Sequence, residues 1–216
     1  MSLQSKRAGR IVKLLSEEYP DAACELDFRS PWELLVATVL SAQSTDARVN
    51  KVTPELLDRW PTPADLSQAP QDAVEEVIRS VGMFRQKASA LRKAARIVSG
   101  DYDGGVPPRM DALLALPGVG RKTAKVVLGE GFGIAAGITV DTHVRRLAQR
   151  LGLTDLEDPE KIAAELEDLM PQDEWIRFST RLIHHGRRVC SARSPRCKAC
   201  VLAPVCPQIG VSNLER

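Results

Sequence analysis

The hydrophobic pattern of the chain is that of amphipathic helices along most of its length. Apolar residues recur at helical spacing in several stretches, among them Ile11, Leu14 and Leu15, then Leu34, Leu35 and Val39, and later Leu91, Ala94, Ala95 and Val98. Such spacing places apolar side chains along one face of an α-helix. The alternation of apolar and polar residues that would indicate half-buried strands is essentially missing. The pattern therefore predicts an all-α fold.

Local signals indicate where some of these helices begin and where loops interrupt them. Ser30-Pro-Trp-Glu33 has a capping serine, a proline at the first helical position and an acid in the first turn, which predicts a helix start. The proline-rich segment 61–63 and the glycine- and proline-rich segment 103–108 predict loops.

Composition and length favour a soluble globular protein with one large domain or two small ones. The chain has 216 residues, of which 44% are hydrophobic and 27% charged. No stretch approaches the roughly 18 uninterrupted apolar residues of a spanning helix, and the N-terminus lacks the features of a signal peptide. We therefore expect a cytoplasmic protein without a membrane partner. In that reducing compartment its five cysteines favour metal ligands or free thiols over disulfides.

The formal net charge of +2 conceals a strong segregation of charge along the chain. Residues 155–174 contain nine acids and one base, whereas residues 175–200 contain seven arginines and lysines and no acid. A second acid-free stretch, residues 112–129, contains Arg121, Lys122 and Lys125. Two basic patches on a nearly neutral protein indicate a binding surface for a polyanion, of which nucleic acid is the first candidate. The alternative is that the arginines pair with the acidic stretch on an ordinary surface.

A glycine-containing turn between two predicted helices is the first candidate binding motif. Asp111–Leu116 predicts a short helix, Pro117-Gly-Val-Gly120 turns the chain, and Arg121–Leu128 begins a second helix. Glycines allow backbone angles closed to other residues and a close approach of the main chain to a partner. The free N–H groups at the start of the second helix can bind a phosphate oxygen. This is the helix–hairpin–helix pattern, which binds the DNA backbone without reading its sequence.

Lys122 lies in the first turn of that second helix, where a cation is electrostatically unfavourable. The helix dipole and the neighbouring Arg121 both oppose a positive charge on its amine. An uncharged lysine amine is a nucleophile that can form a Schiff base. The alternative is that Lys122 is one more phosphate contact or a solvated side chain.

Asp141 and His143 stand at the start of a third predicted helix, which runs from Val144 to Leu151. Asp141 is either simply the N-cap of this helix or a functional carboxylate directed toward the basic helix before it. His143 is either a hydrogen-bond donor near phosphate or a structural histidine of the first turn.

Four cysteines close to the C-terminus form the strongest chemical signal. Cys190, Cys197, Cys200 and Cys206 follow the pattern C-x6-C-x2-C-x5-C within 17 residues. Four thiolates at this spacing suit either a zinc ion or an iron–sulfur cluster. The basic loop between the first two cysteines would project rigidly toward a DNA backbone. The fifth cysteine, Cys24, is expected to be a buried apolar residue.

Together, these motifs resemble the endonuclease III family of the helix–hairpin–helix DNA glycosylase superfamily. The resemblance extends from about Gly9 to Pro207. It is carried, in order, by residues 40–46 (LSAQSTD), residues 116–124 (LPGVGRKTA), residues 140–143 (VDTH) and the four-cysteine loop. Each motif alone could arise by chance, but all four in this order are highly specific.

The resemblance implies two helical domains with DNA in the cleft between them. A six-helix barrel, residues 25–135, would carry the hairpin at about 111–128. The two chain ends, residues 1–24 and 136–216, would form a four-helix domain with a [4Fe–4S] cluster bound by the loop 190–206. The resemblance thus favours iron over zinc, and it implies a monomer.

The resemblance also implies a bifunctional DNA glycosylase and AP lyase, which removes oxidised pyrimidines from duplex DNA and cleaves 3′ to abasic sites. Lys122 would be the nucleophile and Asp141 the catalytic carboxylate. Gln43 would fill the space that a flipped nucleotide leaves, and Met83 would be the apolar wedge, with core packing as its alternative role. The DNA contacts expected from the resemblance and the basic segments are Gln43, Met83, Leu116, Gly118, Val119, Gly120, Arg121, Thr123, His143, Arg193, Arg196 and Lys198.

Two segments depart from the family pattern. Met83 stands where family members usually have leucine, and residues 129–131 (GEG) follow the hairpin helix, where Glu130 could end that helix early.

Two rival functions remain at this point. A monofunctional adenine-mismatch glycosylase lacks the lysine and uses an upstream glutamate, and here no acid lies between Glu33 and Asp46. The second rival is a non-catalytic iron–sulfur DNA-binding protein.

Overall fold

The computed structural model describes residues 3–211, and the regular structure in that range is helical, without strands. The all-α class predicted from the sequence is confirmed. None of the described helices combines the length and the apolarity that a membrane crossing requires. The α-helices are α1 (Leu3–Glu18), α2 (Pro31–Ser41), α3 (Asp46–Arg59), α4 (Pro63–Gln68), α5 (Gln71–Val77), α6 (Phe84–Asp101), α7 (Met110–Leu114), α8 (Arg121–Val126), α9 (Thr142–Arg150), α10 (Pro159–Leu169) and α11 (Trp175–Arg188).

The starts of α2 and α4 follow capping signals in the sequence. Ser30 has extended backbone angles and its side-chain oxygen accepts a hydrogen bond from Glu33 N at 3.2 Å, so α2 begins at Pro31 as predicted. Thr62 and Asp65 form a reciprocal capping box that begins α4 at Pro63. The predicted loop at 61–63 is therefore a short link whose last proline opens a helix.

The chain divides into two compact units, and the first is the continuous segment Cys24–Ala136. Its centre is α2, in which every residue from Trp32 to Leu40 except Glu33 is buried. Helix α6 packs against it through an apolar face that includes Ala88, Leu91 and Ala95. The hairpin of α7 and α8 also packs onto this core, which gives the loops between the helices a fixed base.

The second unit is formed by the two chain ends, the part up to Ala23 and the part from Gly137 onward. Its α-helices among the described residues are α1, α9, α10 and α11, packed around Ile11, Leu15, Phe178 and Leu182, all of which are fully buried. The cysteine loop follows α11 and packs against the same core through Leu202. The domain boundaries expected at residues 1 and 216 lie outside the described residues.

Candidate functional site

The glycine turn between α7 and α8 has the geometry of a tight hairpin. Gly118 has a positive φ of 83°, and the amide of Val119 donates to the carbonyl of Leu116 at 3.1 Å. A Cβ at Gly118 would lie 3.0 Å from the Cβ of Ala90 on α6, so this position requires glycine for both conformation and space. A Cβ at Gly120, by contrast, would meet nothing within 4 Å. The turn is thus anchored to the core at Gly118 and open to the surroundings at Gly120.

Lys122 is the second residue of α8, and its side chain is exposed, as is that of Arg121. Thr123 is half-buried. The side chains of Leu116 and Val119 are buried in the core of this unit, so these two residues could contact DNA only through their main chain. The hairpin presents two basic side chains and the open main chain at Gly120 on a rigid base.

The helix that carries Lys122 does not end early at Glu130. After Val126 the chain continues as a π-helix, Val127–Gly131. A Cβ at Gly131 would lie 3.3 Å from Leu34 Cδ2, so the glycine lets this turn pack closely against α2.

Asp141 caps α9, as one of the two sequence interpretations predicted. Its Oδ1 accepts hydrogen bonds from His143 N at 2.8 Å and from Val144 N at 2.7 Å. Both cap bonds use the same oxygen, which leaves Oδ2 for another role. The residue is half-buried.

His143 is fixed by an arginine of the same helix. Arg146 Nη2 lies 3.1 Å from His143 Nδ1 and also donates to the carbonyls of Gly186 and Cys190, at 3.1 and 2.9 Å. Because a guanidinium can only donate, Nδ1 must be the acceptor, and the neutral ring carries its proton on Nε2. Burial chiefly lowers the pKa of His143, and Arg146 and Arg187 lower it further, whereas Asp141 and a hydrogen bond with the backbone of Gly186 partly offset these effects. At neutral pH the ring is therefore an uncharged donor through Nε2.

Gln43 and Met83 lie on two neighbouring turns, and both have left-handed backbone angles, with φ of 54° and 55°. Gln43 is exposed, and Met83 is 43% exposed. The alternative that Met83 serves core packing therefore does not hold. Such angles are uncommon for residues other than glycine and are maintained only where surrounding contacts impose them.

The four cysteines near the C-terminus line one cavity. Within residues 3–211 no group of three or more histidine, cysteine or acidic side chains is arranged to hold a single metal ion. Instead, Cys190, Cys197, Cys200 and Cys206 surround about 330 Å³ of space, part of it open to solvent. Burial raises the pKa of the Cys200 and Cys206 thiols. Neighbouring cysteines raise it further, and backbone hydrogen bonds partly offset the rise. Cys24, in the other unit, is half-buried and packs against the core there.

An arginine and a histidine outside the cysteine loop are hydrogen-bonded to two of these sulfurs. Arg150 Nη1 lies 3.2 Å from Cys190 Sγ and donates to the carbonyl of Ser191 at 2.8 Å. His185 Nε2 lies 3.3 Å from Cys200 Sγ, and its Nδ1 is 3.0 Å from the hydroxyl of Tyr19. Burial lowers the pKa of His185 to about 4, so the ring is neutral. If Tyr19 donates to Nδ1, the Nε2 proton is directed at the sulfur.

The basic stretch that follows the acidic one is only partly paired with it. Arg181 is buried and forms an ion pair with Glu174 at 3.0 Å, as the surface-pairing alternative predicted. Arg193, Arg196 and Lys198, on the cysteine loop, are exposed. The loop therefore presents a local basic surface.

Sequence reasoning did not identify Lys87, Arg146, Arg150 or His185 as part of these sites. For Lys87 a signal existed, since it lies four residues before Leu91 on the apolar face of α6. The others contact residues about 40 positions away, or 15 in the case of His185 and Cys200, and no local pattern indicates these contacts.

Comparison with known proteins identifies the family. Residues 36–172 match the HhH-GPD superfamily of base excision DNA repair proteins. The chain is 51% identical to endonuclease III of Synechocystis over 98% of its own length and 97% of the relative's, and 40% identical to endonuclease III of Escherichia coli K12 over 91% and 92%. The solved structure of a non-covalent endonuclease III–DNA complex superimposes with a TM-score of 0.90 at 41% identity, covering 96% of this chain and 97% of that one. A trapped endonuclease III–DNA covalent intermediate matches equally well. The chain therefore belongs to the endonuclease III family of the HhH-GPD superfamily.

Proposed function

We infer that this protein is a base excision repair DNA glycosylase with AP lyase activity, which removes oxidised pyrimidines from duplex DNA and cleaves the strand 3′ to the abasic site. The observation that carries this inference is Lys122, an exposed primary amine directly after the hairpin turn, in a chain with relatives that include a covalently trapped enzyme–DNA complex. The presence of the lysine separates this activity from that of the monofunctional adenine-mismatch glycosylases.

The hairpin would bind the DNA backbone. The open space at Gly120 allows a phosphate to approach the main chain, and the first amides of α8 are free to donate to its oxygens. Arg121 adds a positive charge beside them. These contacts are independent of sequence, which suits an enzyme that must search all of the DNA for damage.

The damaged nucleotide has to leave the base stack before its sugar can be attacked. Gln43 and Met83 are exposed on adjacent turns, and we assign to them the space that the flipped nucleotide leaves. His143 would donate from Nε2 to a phosphate oxygen. The exposed Arg193, Arg196 and Lys198 would contact the backbone elsewhere along the duplex.

The chemistry begins when the neutral amine of Lys122 attacks C1′ of the deoxyribose. The bond from C1′ to the base breaks, and the base leaves with the bonding electrons and takes up a proton. Opening of the sugar ring yields a Schiff base between Lys122 and C1′. This cation acidifies the C2′ proton, and its removal expels the 3′ phosphate by β-elimination.

Asp141 would assist this sequence through its carboxylate. Oδ2 is not used by the helix cap, so it can accept a proton from the lysine amine or stabilise the positive charge that develops on the sugar. The cap fixes the carboxylate to the start of α9 while it does so.

We further propose that Cys190, Cys197, Cys200 and Cys206 bind a [4Fe–4S] cluster. Four thiols that line one pocket supply the donors that such a cluster takes, and Arg150 and His185 lie within hydrogen-bond distance of two of the sulfurs. The cluster would be structural: it would hold the basic loop Arg193–Lys198 in shape. On this proposal the chain-end unit is the cluster domain and the unit Cys24–Ala136 is the hairpin domain.

Borohydride trapping on DNA with an abasic site tests the proposed function. Borohydride reduces a Schiff base to a stable amine, so the wild-type protein should become covalently bound to the oligonucleotide. Lys122→Gln should form no adduct and cleave no strand, yet retain DNA binding, because the hairpin amides remain. Lys51→Gln, at an exposed lysine of α3, is the matched control and should behave as wild type. A protein that retards DNA on gels but never forms an adduct would be a binding protein, and the proposal would be wrong.

A further inference from the structure

Lys87 is a buried cation that the proposed chemistry does not use. Its relative exposure is 5%, and it lies on the apolar face of α6 among core residues. Burial lowers the pKa of its ammonium group. A charge in such a place is unfavourable unless hydrogen bonds compensate for its lost hydration. The burial of Lys87 therefore depends on the hydrogen bonds that its ammonium group makes.

The ammonium group of Lys87 binds three neutral oxygen atoms around Gln43. Nζ donates to the carbonyl of Leu40 at 2.8 Å, to the carbonyl of Ala42 at 2.6 Å and to the hydroxyl of Ser44 at 3.3 Å. Leu40 belongs to the last turn of α2, where carbonyl groups attract a cation. Ala42 and Ser44 are the two neighbours of Gln43. The side chain of Lys87 thus fixes the turn in which Gln43 adopts its left-handed angle.

The same residue is connected to the turn that carries Met83. The backbone amide of Lys87 donates to the carbonyl of Met83 at 3.0 Å in the first turn of α6. The hydroxyl of Ser44, which accepts from Lys87, also accepts from Gly82 N at 3.2 Å. Gly82 itself packs closely on the other turn, since a Cβ there would lie 3.3 Å from the carbonyl oxygen of Gln43. The two turns are joined through Lys87, Ser44 and Gly82.

We propose that Lys87 is a positioning residue that holds Gln43 and Met83 in register, so that both side chains enter the DNA stack as one preformed unit. This inference rests on the proposed function. The two insertion residues are exposed, and their left-handed angles need support from elsewhere. A lysine supplies this support because its three donors reach both carbonyls and the serine at once. An apolar residue of the same length would fill the space but leave these oxygens without a donor.

The test compares trapping on two abasic substrates that differ only in base pairing around the lesion. One is a fully paired duplex, and the other has the abasic site in an unpaired bubble, where no stack has to be opened. If Lys87 positions the insertion residues, Lys87→Met should slow borohydride trapping on the duplex about tenfold or more, within the range that a small misplacement produces. On the bubble its rate should stay within about twofold of wild type, because the chemical groups are untouched.

A fluorescent reporter gives a second measurement of the same step. With 2-aminopurine beside the abasic site, the wild-type protein should raise the fluorescence on binding as the bases unstack. Lys87→Met should bind with little such rise. Lys51→Met, at the exposed lysine of α3, should match wild type in both assays.

Ser44→Ala tests the inference without removing the buried charge. It breaks the link between Lys87 and Gly82, so it should slow borohydride trapping less than Lys87→Met does, and again only on the duplex. If Lys87→Met does not yield folded protein, Ser44→Ala decides alone. Equal losses on both substrates, or no loss on either, would overturn the positioning role. A wild-type protein that forms no adduct would overturn the proposed function and this inference with it.

Discussion

At the scale of single residues, Asp141 combines an observed structural role, the cap of α9, with the catalytic role that we propose for it. Its Oδ1 accepts both cap hydrogen bonds of α9, at 2.8 and 2.7 Å, and Oδ2 takes no part in them. The cap fixes the position of the carboxylate, and the second oxygen can act on a proton or a charge. These two roles depend on different properties of the side chain, its shape and its charge, so substitutions can separate them.

Asp141→Asn should remove catalysis and preserve the fold. Asparagine caps helices about as well as aspartate, so the free energy of unfolding should change by less than about 0.5 kcal/mol. Without the carboxylate charge, single-turnover base release should slow by roughly 10²- to 10⁴-fold. Asp141→Ala should lose the same activity and about 1 kcal/mol of stability besides, measured by urea unfolding. An Asn variant with the wild-type rate would mean that the charge of Asp141 is not used.

The lowered pKa of His143 predicts a specific dependence of stability on pH. The unfolded chain protonates this imidazole near its ordinary pKa of 6.5, whereas the folded chain does so only at lower pH, because burial and the two arginines disfavour the cation. Between the folded and the unfolded pKa, unfolding therefore takes up a proton. The stability that neutral His143 contributes is complete above pH 6.5 and declines as the pH falls through the folded value.

His143→Asn isolates this contribution, since asparagine can still accept from Arg146 but does not titrate. As the pH is lowered from 7.5 to about 5, the unfolding free energy of the wild type should fall relative to that of the variant. Urea unfolding at several pH values measures it. A constant difference across this range would show that His143 has no lowered pKa in the folded protein.

At the scale of structural elements, the hairpin contains two glycines that differ in how well they should tolerate a side chain. Gly118→Ala should destabilise the protein by at least about 2 kcal/mol, because a left-handed angle costs a residue with a Cβ roughly 1–2 kcal/mol and Ala90 must also move. Gly120→Ala should cost at most about 1 kcal/mol, through a poorer N-cap.

These two substitutions also separate effects on stability from effects on DNA binding. The Cβ of Gly120→Ala would project into the open space where we place the phosphate, so this variant should fold and yet bind duplex DNA more weakly. Denaturation midpoints and affinities at one fixed salt concentration distinguish the two effects. Unchanged DNA affinity in Gly120→Ala would indicate that the phosphate does not approach the turn at this point.

The elements predicted from sequence were those with strong local signals. The start of α2 at Ser30 and the Asp141 cap of α9 follow from capping chemistry, which acts over three or four residues. The π-helix after Val126 was not predicted, because its apolar spacing resembles that of an α-helix. What distinguishes it is the close packing of Gly131 on Leu34 and Pro31, about 100 residues earlier in the chain.

At the scale of the whole molecule, sequence motifs predicted the groups of the proposed chemistry, and the structure adds residues that contact those groups or the turns beside them. The hairpin lysine and the four cysteines were predicted from residue type and spacing together with the family resemblance. Lys87, which binds oxygens 43 to 47 positions away, and Arg150, which reaches Cys190 across 40 positions, were not. Contacts of this kind depend on how helices pack. The local pattern places Lys87 on the apolar face of α6 but does not indicate which oxygens it binds.

The four cysteines of the loop should affect the stability of the whole chain-end unit. Three of them, Cys190, Cys200 and Cys206, pack against the core of the chain-end unit, together with the buried Leu202. A cluster bound there would stabilise both the loop and that core, because the binding free energy of a metal group adds to that of folding. Loss of one ligand should therefore weaken the unit as well as its cofactor.

Cys200→Ser should yield protein with little iron, without the yellow-brown absorption that wild type should show, and with a lower melting temperature. Cys24→Ser is the matched control: this cysteine lies in the other unit, half-buried against its core, so iron content and colour should be unchanged. Iron analysis, visible absorption before and after dithionite, and thermal unfolding check the three expectations. A colourless wild-type protein that contains zinc would show that the four thiols hold a single ion, and the basic loop would then be shaped by a different metal.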